Sequence, residues 1–295
     1  MGKTREIKKR IKAVGNIRRI TNTMRMIATS KFARAQQRAT ASKPYTEGVF
    51  ELVRKIGEAG GSGGGASHPL LGGAPGKPGS VARELTLVIT SDRGLCGPYN
   101  SSVLRTAMAH FRASPVAKSG QIEVVGRKGA GFFKFAEVPI AAMHSFGDKA
   151  EYAQIERLAQ SYMDRFIAGE ISKVTIIFMK FLSAGRQRPE VMQLLPLSAP
   201  ESKSGEKKAG VEYEFSPPAE QLLATLLPAA VKATLFQAFS DAIVSEHVAR
   251  MVAMKSATDN AGKMGKRFTR QYNRARQAQI TTELTEIISG AAALE

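Results

Sequence analysis

The chain has 295 residues, enough for one or two domains, with 43 Lys and Arg against 25 Asp and Glu. Its net charge of +18 is concentrated in residues 1–56, a segment that favours an acidic partner such as nucleic acid, anionic lipid or an acidic protein surface, the alternative being a solvated helix face. The single cysteine, Cys96, excludes an internal disulfide. The sequence also lacks a signal-peptide pattern, a myristoylation pattern and an apolar run of membrane length, so we expect any membrane association to come through partners.

A long amphipathic helix is predicted over residues 3–56. Its apolar positions recur in steps of three and four and form one stripe: Ile7, Ile11, Val14, Ile17, Ile20, Met24 and Ile27. Pro44 is expected to bend or interrupt this helix near Lys43. Residues 1–56 hold 15 basic and 3 acidic side chains, so much of the positive charge lies here.

Residues 57–80 are rich in Gly and contain three Pro, which is typical of a flexible linker or an exposed loop. Gly76-Lys77 resembles the end of a phosphate-binding loop. The match fails because Leu71 replaces the first Gly and Pro78 replaces the Ser or Thr. We therefore expect no nucleotide site in this segment.

Strand and helix patterns alternate over residues 84–217, which favours an α/β sheet inserted between two long helices. Strands are predicted at 85–90, 122–125, 138–144, 174–179 and 190–197. Helices are predicted at 100–111, 130–136 and 150–168. A polar loop is expected at 201–210.

Two glycine-containing turns in this region are candidates for chemistry. Gly126 to Gly131 follows a strand, but its spacing is GxxGxG rather than the GxGxxG of dinucleotide-binding proteins. Ser91 to Gly97 contains Cys96, which would be a nucleophile only if a base lay close to it. The four His are scattered and share no motif with Cys96, so we interpret both turns as structural and expect no metal site.

A second long helix is predicted from Pro228 to Ser289, with Pro228 in its first turn. Its stripe comprises Val231, Leu235, Phe239, Ile243, Met251, Met254, Ala257, Ala261, Met264, Phe268, Tyr272 and Ala275. Asn260, Gly262 and Gly265 are turn-forming residues, so a helical hairpin that bends at Asn260 is an alternative. Two long helices with one apolar stripe each suggest an antiparallel coiled coil that joins the two ends of the chain.

The last part of the second helix carries a cluster of basic residues without an intervening acid: Lys263, Lys266, Arg267, Arg270, Arg274 and Arg276. A polar patch and a small apolar end follow, as in a helix that another macromolecule surrounds. A basic, nucleic-acid-binding coiled coil is one interpretation. The low aromatic content of 7% and the lack of a recognisable nucleic-acid-binding motif argue against it.

Four segments together resemble the gamma subunit of rotary, F-type ATP synthases. They are Ile7 to Lys31, the loop from Ser91 to Gly97, Ala249 to Ala261, and Tyr272 to Thr281. The resemblance extends over nearly the whole chain except the loops at 57–80 and 201–212. One departure is Pro98, which follows Gly97 where the family usually has a second Gly.

The resemblance implies an α/β fold in which an antiparallel coiled coil of long N- and C-terminal helices carries an inserted Rossmann-like α/β domain. The implied segments are a first shaft helix at 1–56, a Gly-rich linker at 57–80, the α/β domain at 81–217 and a second shaft helix at 218–295. It also favours a continuous helix through Asn260.

The resemblance further implies a rotor that performs no catalysis, binds no cofactor or metal, and couples proton flow to ATP synthesis. The implied partners are the alpha, beta, epsilon and delta subunits and the membrane c-subunit ring, without nucleic acid. The implied location is peripheral, on the cytoplasmic face of the cell (inner) membrane.

The resemblance also assigns roles to individual residues. Contacts to the beta subunits fall on Arg276, Gln277 and Thr281. A set of residues that couples rotation to catalysis comprises Met24, Arg250 and Glu286. The central loop of the family corresponds to Asp92, Arg93, Gly94, Cys96 and Gly97.

Overall fold

The computed structural model describes residues 2–60, 68–71, 83–147, 149–197 and 218–292. The helices are α1 (Gly2–Gly60), α2 (Tyr99–Ala113), α3 (Pro115–Ser119), α4 (Arg127–Phe135), α5 (Tyr152–Ile167) and α6 (Ala219–Ala292). The strands are β1 (Glu84–Ile89), β2 (Gln121–Val125), β3 (Ala142–His144), β4 (Lys173–Ser183) and β5 (Arg186–Leu195). The predicted α/β class with long terminal helices is confirmed.

The chain forms two compact units, and both long helices contribute to each of them. The first unit contains Met1–Ser30 and Arg250–Glu295, and the second contains Lys31–Ala249. The loop at 201–210 lies outside the described residues, as do residues 61–67 and 72–80 of the predicted linker, whereas residues 57–60 belong to α1. The division into segments at 56, 80 and 217 stays a prediction, because the compact units follow contacts rather than the ends of the helices.

In the first unit α1 and α6 run antiparallel, as two hydrogen bonds between distant residues demonstrate. The Thr258 hydroxyl donates to the Thr21 hydroxyl at 2.8 Å, and the Thr4 hydroxyl donates to Gln279 at 3.3 Å. The start of α1 therefore lies beside the end of α6, and the two helices run in opposite directions. This pairing agrees with the predicted antiparallel coiled coil.

The positions that α1 and α6 bury against each other repeat every seven residues; we call them the seam. On α1 the seam includes Ile7, Val14, Thr21 and Ala28, and on α6 it includes Met254, Ala261, Phe268 and Ala275. A strict seven-residue repeat is the pattern of a left-handed coiled coil. The predicted stripes were partly wrong, because Ile17, Ile20, Ile27 and Met264 are about half exposed and lie outside the seam.

Helix α6 continues through Asn260, Gly262 and Gly265, so the helical-hairpin alternative is wrong. The local turn signal fails because tertiary contacts hold this segment in a helix. A Cβ atom at Gly265 would lie 3.9 Å from Val14 Cγ1, and one at Gly262 would lie 3.7 Å from Arg18 Nε. Both glycines therefore face α1.

The second unit is built on a five-stranded sheet with the order β3-β2-β1-β4-β5. The first four strands are parallel, and β5 pairs antiparallel with β4. All six residues of β1 are buried, as expected of a central parallel strand that has both faces covered. The order reverses at β1, because β2 lies on one side of it and β4 on the other.

Each face of the sheet has its own hydrophobic core. One core contains Leu85, Leu87 and Ile89 of β1 together with α5, residues 227–242 of α6 and Val49, Val53 and Ile56 of α1. The other contains Val88 with α2, α3 and α4. The alternation along β1 thus sends successive side chains to opposite cores.

The predicted elements of the sheet domain differ from the observed ones mainly at their ends. The third strand begins at Ala142 rather than at residue 138, and α4 begins at Arg127 rather than at Ala130. The last strand begins at Arg186, and the short helix α3 was not predicted. Pro115 opens α3, and the Ser114 hydroxyl accepts a hydrogen bond from the Ala117 amide, so a capping signal for this helix was present in the sequence.

Neither proline of the long helices ends its helix. Helix α1 is uninterrupted at Pro44, so the predicted interruption near Lys43 is wrong, while the predicted bend there stays a prediction. Pro228 lies inside α6 rather than in its first turn. Buried residues flank each proline: Ala39 and Val49 in α1, and Leu227 and Ala230 in α6. Burial of these side chains offsets the cost of a proline, about 3 kcal/mol in a helix interior.

Helix α6 also shows that the expectation of no apolar stretch long enough to cross a membrane was wrong. It contains an 18-residue window of mean hydropathy 1.5, and 44% of that window is buried inside the protein. The window was missed because polar residues interrupt its apolar runs. A core helix has the same composition, so this window is weak evidence for a membrane span.

The turn between β2 and α4 brings two glycines against β1. A Cβ atom at Gly126 would lie 2.4 Å from the Thr90 carbonyl oxygen, and Gly126 has a φ of +92°. A Cβ atom at Gly129 would lie 2.6 Å from Thr90 Oγ1 and 2.8 Å from Val124 Cγ1. The third glycine of the predicted turn, Gly131, faces open space.

We predict that Gly265→Ala raises the free energy of unfolding by up to about 1 kcal/mol, because alanine is the better helix former by that amount and its methyl group would make an ordinary contact with Val14. Urea unfolding of the purified chain, followed by circular dichroism, measures this change. Gly15→Ala is the matched control, since a Cβ there meets open space in α1. If the free energy of unfolding rose for Gly15→Ala but fell for Gly265→Ala, the result would mean that the seam cannot admit a methyl group.

We predict that Gly129→Ala lowers the free energy of unfolding by about 1–3 kcal/mol, because the methyl group would overlap Thr90 and Val124. Gly131→Ala lies two residues away in the same helix and should be neutral or stabilising. The same unfolding measurement compares the two variants. Equal effects at both positions would contradict the close approach of α4 to β1.

Candidate partner-contact surfaces and central loop

The central loop, Ser91 to Gly97, follows β1 at the carboxyl edge of the parallel strands. The sheet order reverses there, and open α/β sheets bind ligands at such a point. The geometry of this loop therefore decides whether the domain has a place for a nucleotide.

The three residues that follow β1 accept hydrogen bonds from the first three backbone amides of α4. The Arg127 amide donates to Asp92 Oδ1 at 3.1 Å, the Lys128 amide to the Ser91 carbonyl at 3.1 Å, and the Gly129 amide to Thr90 Oγ1 at 2.9 Å. A phosphate at a helix N-terminus would need these same donors. In this chain the Asp92 carboxylate supplies the negative charge at that position.

The remainder of the loop is held by hydrogen bonds of its own. The Ser91 amide donates to Asn100 Oδ1 at 3.0 Å, and the Ser91 hydroxyl donates to the Arg93 carbonyl at 2.7 Å. Gly97 has a φ of +56°, which a glycine adopts without strain. Pro98 directly precedes α2, and its carbonyl accepts from the Ser102 amide at 2.9 Å, so the departure from the family pattern fits the start of a helix.

Cys96 is part of this framework rather than an activated thiol. Its side chain is 1% exposed, and Sγ lies 3.3 Å from Asn100 Nδ2 and 3.7 Å from Ser91 Oγ. No histidine hydrogen-bonds to Cys96 in the part of the chain that the structure describes. The geometry agrees with the interpretation of this turn as structural.

The space at the carboxyl edge of the sheet is too small for a nucleotide. A cavity of about 30 Å³ lies between Thr90, Gly126 and the α6 residues Phe239 and Glu246. This volume is enough for about one or two water molecules. Among the described residues, no group of three or more His, Cys, Asp or Glu could hold a metal ion.

The two buried glutamates of the sheet have structural partners. Glu123 accepts from Tyr162 at 2.7 Å and from Arg165 at 3.2 Å, and lies 2.7 Å from His144 Nε2. Burial alone would raise the pKa of Glu123, but hydrogen bonds from His144, Tyr162 and Arg165 and the charge of His144 lower that pKa below its usual value. Glu84 similarly contacts His110, Thr175 and Lys173. Each carboxylate therefore holds strands and helices together.

The predicted beta-subunit contacts lie on an exposed part of α6. Arg276, Gln277 and Thr281 are all exposed, and the Thr281 hydroxyl donates to the Gln277 carbonyl at 3.0 Å. Gln277 and Thr281 lie four residues apart on one face of α6, and Arg276 precedes Gln277; we call these three residues the patch. The basic residues before them, from Lys263 to Arg274, are exposed as well.

The predicted coupling set is divided between two levels of the first unit. Met24 on α1 and Arg250 on α6 are half-buried, and the Thr21–Thr258 hydrogen bond places both near the same end of the seam. Glu286 is exposed and lies 28 residues beyond Thr258 on α6, roughly 40 Å along a straight helix. The structure thus brings Met24 and Arg250 to one level and leaves Glu286 at another.

Two lines of large apolar side chains on the first unit were not predicted as exposed surfaces. The α1 line is Ile17, Ile20, Met24 and Ile27, whose three isoleucines are 51–58% exposed. The tip line is Ile280, Leu284, Ile287 and Ile288 on α6, 48–68% exposed. The seven-residue repeat of the seam was the signal that could have separated the α1 line from the buried positions.

Comparison with known proteins gives one consistent result. The family model described as ATP synthase matches residues 3–294. The ATP synthase gamma chain of Rhodopirellula baltica is 39% identical over 302 residues, and that of Desulfitobacterium hafniense is 38% identical over 296 residues. Both alignments cover 100% of each chain.

Solved structures share the fold at lower sequence identity. A chain of the Euglena gracilis mitochondrial ATP synthase, in a structure of OSCP, F1 and the c-ring, superposes with a TM-score of 0.68 and 17% identity. That match covers 99% of this chain and 95% of the other. A chain in a structure of the Euglena rotor has a TM-score of 0.61, 19% identity and coverage of 95% and 99%. From the family model and the relatives, this chain belongs to the ATP synthase gamma chain family.

Proposed function

We propose that this chain is the central-stalk rotor subunit of a proton-driven ATP synthase. In this role it transmits torque between a membrane-embedded ring and the catalytic beta subunits, and so couples proton translocation to ATP synthesis. The chain itself performs no chemistry. Family membership supports this assignment, whereas neither the fold nor the comparisons support the nucleic-acid-binding alternative.

The observation that carries the proposal is the uncovered apolar surface of the first unit. Apart from the half-buried Met24, the α1 line and the tip line present seven large apolar side chains that are 48–68% exposed. Exposed apolar patches of this kind mark contacts with other proteins. A ring of alpha and beta subunits around the first unit would cover both lines.

Charge supports the same arrangement. Residues 2–30 and 250–292 contain 17 basic and 4 acidic side chains, so the first unit is strongly positive. Acidic segments on the surrounding subunits would be attracted to it over long range, and salt would screen that attraction. Exposed ion pairs contribute little individually, which allows contacts to break at each step of rotation.

Torque transmission in this proposal rests on differences between the faces of the first unit. The α1 line is apolar, whereas the region around Arg276 is polar and basic. A beta subunit that faces the α1 line contacts apolar side chains, whereas one that faces the patch contacts polar and basic side chains. The two beta subunits therefore favour different conformations. Rotation then shifts these preferences from one beta subunit to the next.

The remaining partners follow from the family. We propose that epsilon, delta and the c-subunit ring associate with the chain as well, and that membrane contact is made only through these partners. The location is then peripheral, on the cytoplasmic face of the cell (inner) membrane. The proposed coupling residues are Met24, Arg250 and Glu286, and the proposed beta-subunit contacts are Arg276, Gln277 and Thr281.

We predict that Met24→Lys impairs coupling more than assembly. A new ammonium on the apolar α1 line would pair with an acidic segment of a beta subunit, and rotation would have to break that pair. A charged hydrogen bond of about 1–3 kcal/mol slows each step several-fold or more. Membranes that carry the variant should hydrolyse ATP yet pump protons poorly, with the alpha, beta and epsilon subunits still co-purifying.

Met26→Lys is the matched control for this experiment. Met26 is 55% exposed and lies on another face of α1, outside the α1 line. It should leave coupling close to wild type. An unassembled complex with both activities lost in Met24→Lys would contradict this prediction. Failure of the wild-type chain to co-purify with alpha and beta subunits would refute the rotor assignment.

We predict that Gln277→Leu and Thr281→Leu each lower ATP turnover per assembled complex. Both side chains are exposed in the chain alone, so the substitutions should leave its fold intact. In the complex they would leave partner groups unpaired at a cost of about 1–3 kcal/mol each. Gln271→Leu, at an exposed position one and a half turns earlier in α6, is the control. Turnover equal to that of Gln271→Leu would mean that the patch makes no energetically important contact.

A further inference from the structure

A cleft in the second unit has a basic rim and an apolar floor. Its volume is about 230 Å³, and residues of α1, α6 and the segment before α5 line it. It shares Ala150 and Ile243 with the small cavity beside the central loop. None of the proposed functions uses this cleft.

The rim carries four cationic side chains. Lys31, Arg34 and Arg38 follow each other at intervals of three and four on α1, so they share one helix face. Lys149 stands on the opposite side, 3.5 Å from the exposed Glu151. No Asp or Glu lies among the described residues that line the cleft.

The two arginines are the available cations of this rim. Arg34 and Arg38 are exposed, and neither forms an ion pair with any described residue. By contrast, Lys232 and Lys180 elsewhere in the unit pair with Glu156 at 3.0 Å and Glu190 at 2.8 Å. Guanidinium groups bind phosphoryl and carboxylate oxygens with two parallel hydrogen bonds.

The floor differs chemically from the rim. Phe236 and Ile243 of α6 line it, and the Phe236 ring is held edge-on by Tyr152 at a centroid distance of 5.4 Å. Ser240 lies between them along the helix, and His247, at 2% exposure, closes the far end. A simple inorganic anion would contact only the rim and would leave this apolar surface in water.

We propose that this cleft binds a small amphiphilic anion, a phosphoryl or carboxylate head on a short apolar chain. Arg34 and Arg38 hold the head, while Phe236 and Ile243 receive the chain. Charge complementarity fixes the sign of the ligand, and the apolar floor distinguishes it from inorganic phosphate. The site is independent of the proposed rotor function.

Calorimetric titration of the full chain with octyl phosphate, and separately with inorganic phosphate, tests this proposal. We expect octyl phosphate to bind at least about tenfold more tightly, because burial of two methylene groups already accounts for that factor. Equal affinity for the two anions would overturn the proposal, since the floor would then contribute nothing.

Two variants separate the contributions of the rim and the floor. Arg34→Gln with Arg38→Gln should weaken binding of octyl phosphate about tenfold or more, through loss of charged hydrogen bonds. Ser240→Leu should fill the floor and weaken octyl phosphate binding by a similar factor, while leaving the affinity for inorganic phosphate unchanged. Arg105→Gln with Arg112→Gln, on exposed positions of α2, is the control of equal charge.

Other outcomes would contradict the site. Wild-type affinity in both cleft variants would mean that octyl phosphate binds elsewhere. Displacement of octyl phosphate by micromolar poly-glutamate would identify an acidic polypeptide as the ligand. Sedimentation of the chain with phosphatidylglycerol vesicles, lost in the double arginine variant and without binding of octyl phosphate, would identify a membrane surface instead.

Discussion

The burial of the seam positions of α1 against α6 is the interaction on which the first unit depends. Val14, Ala28, Met254 and Ala261 are each less than 9% exposed within it. The seam in turn determines which residues remain outside it. Because the isoleucines of the α1 line do not face α6, the protein by itself leaves them in contact with water.

Much of the architecture follows from local patterns in the sequence, whereas the exact faces of the helices do not. Alternating strands and helices predicted the α/β domain, and turn residues located its loops. The stripes of α1 and α6 were placed partly wrong because steps of three and four fit both a straight helix and a coiled coil. The two consecutive steps of three from Val14 to Ile17 and from Ile17 to Ile20 each fall about 60° short of a full turn, so these side chains rotate out of the seam.

The failures at single residues have one physical cause, which is tertiary packing that overrides local preference. Pro44, Pro228 and the Asn260 to Gly265 segment all carry helix-breaking residues, yet the helices continue because neighbouring side chains are buried. No sequence pattern of a few residues contains this information. The cleft at Arg34 and Phe236 was likewise not predictable, since its residues come from opposite ends of the chain.

The hydrogen bonds of Thr90, Ser91 and Asp92 to the first turn of α4 have a consequence for how the domain responds to its surroundings. A nucleotide phosphate would have to displace the Asp92 carboxylate and break the bonds to three consecutive amides before it gained any contact of its own. A ligand that must first undo native structure has its affinity reduced by the cost of that opening. The domain's own hydrogen bonds therefore oppose the binding of a phosphate at the first turn of α4.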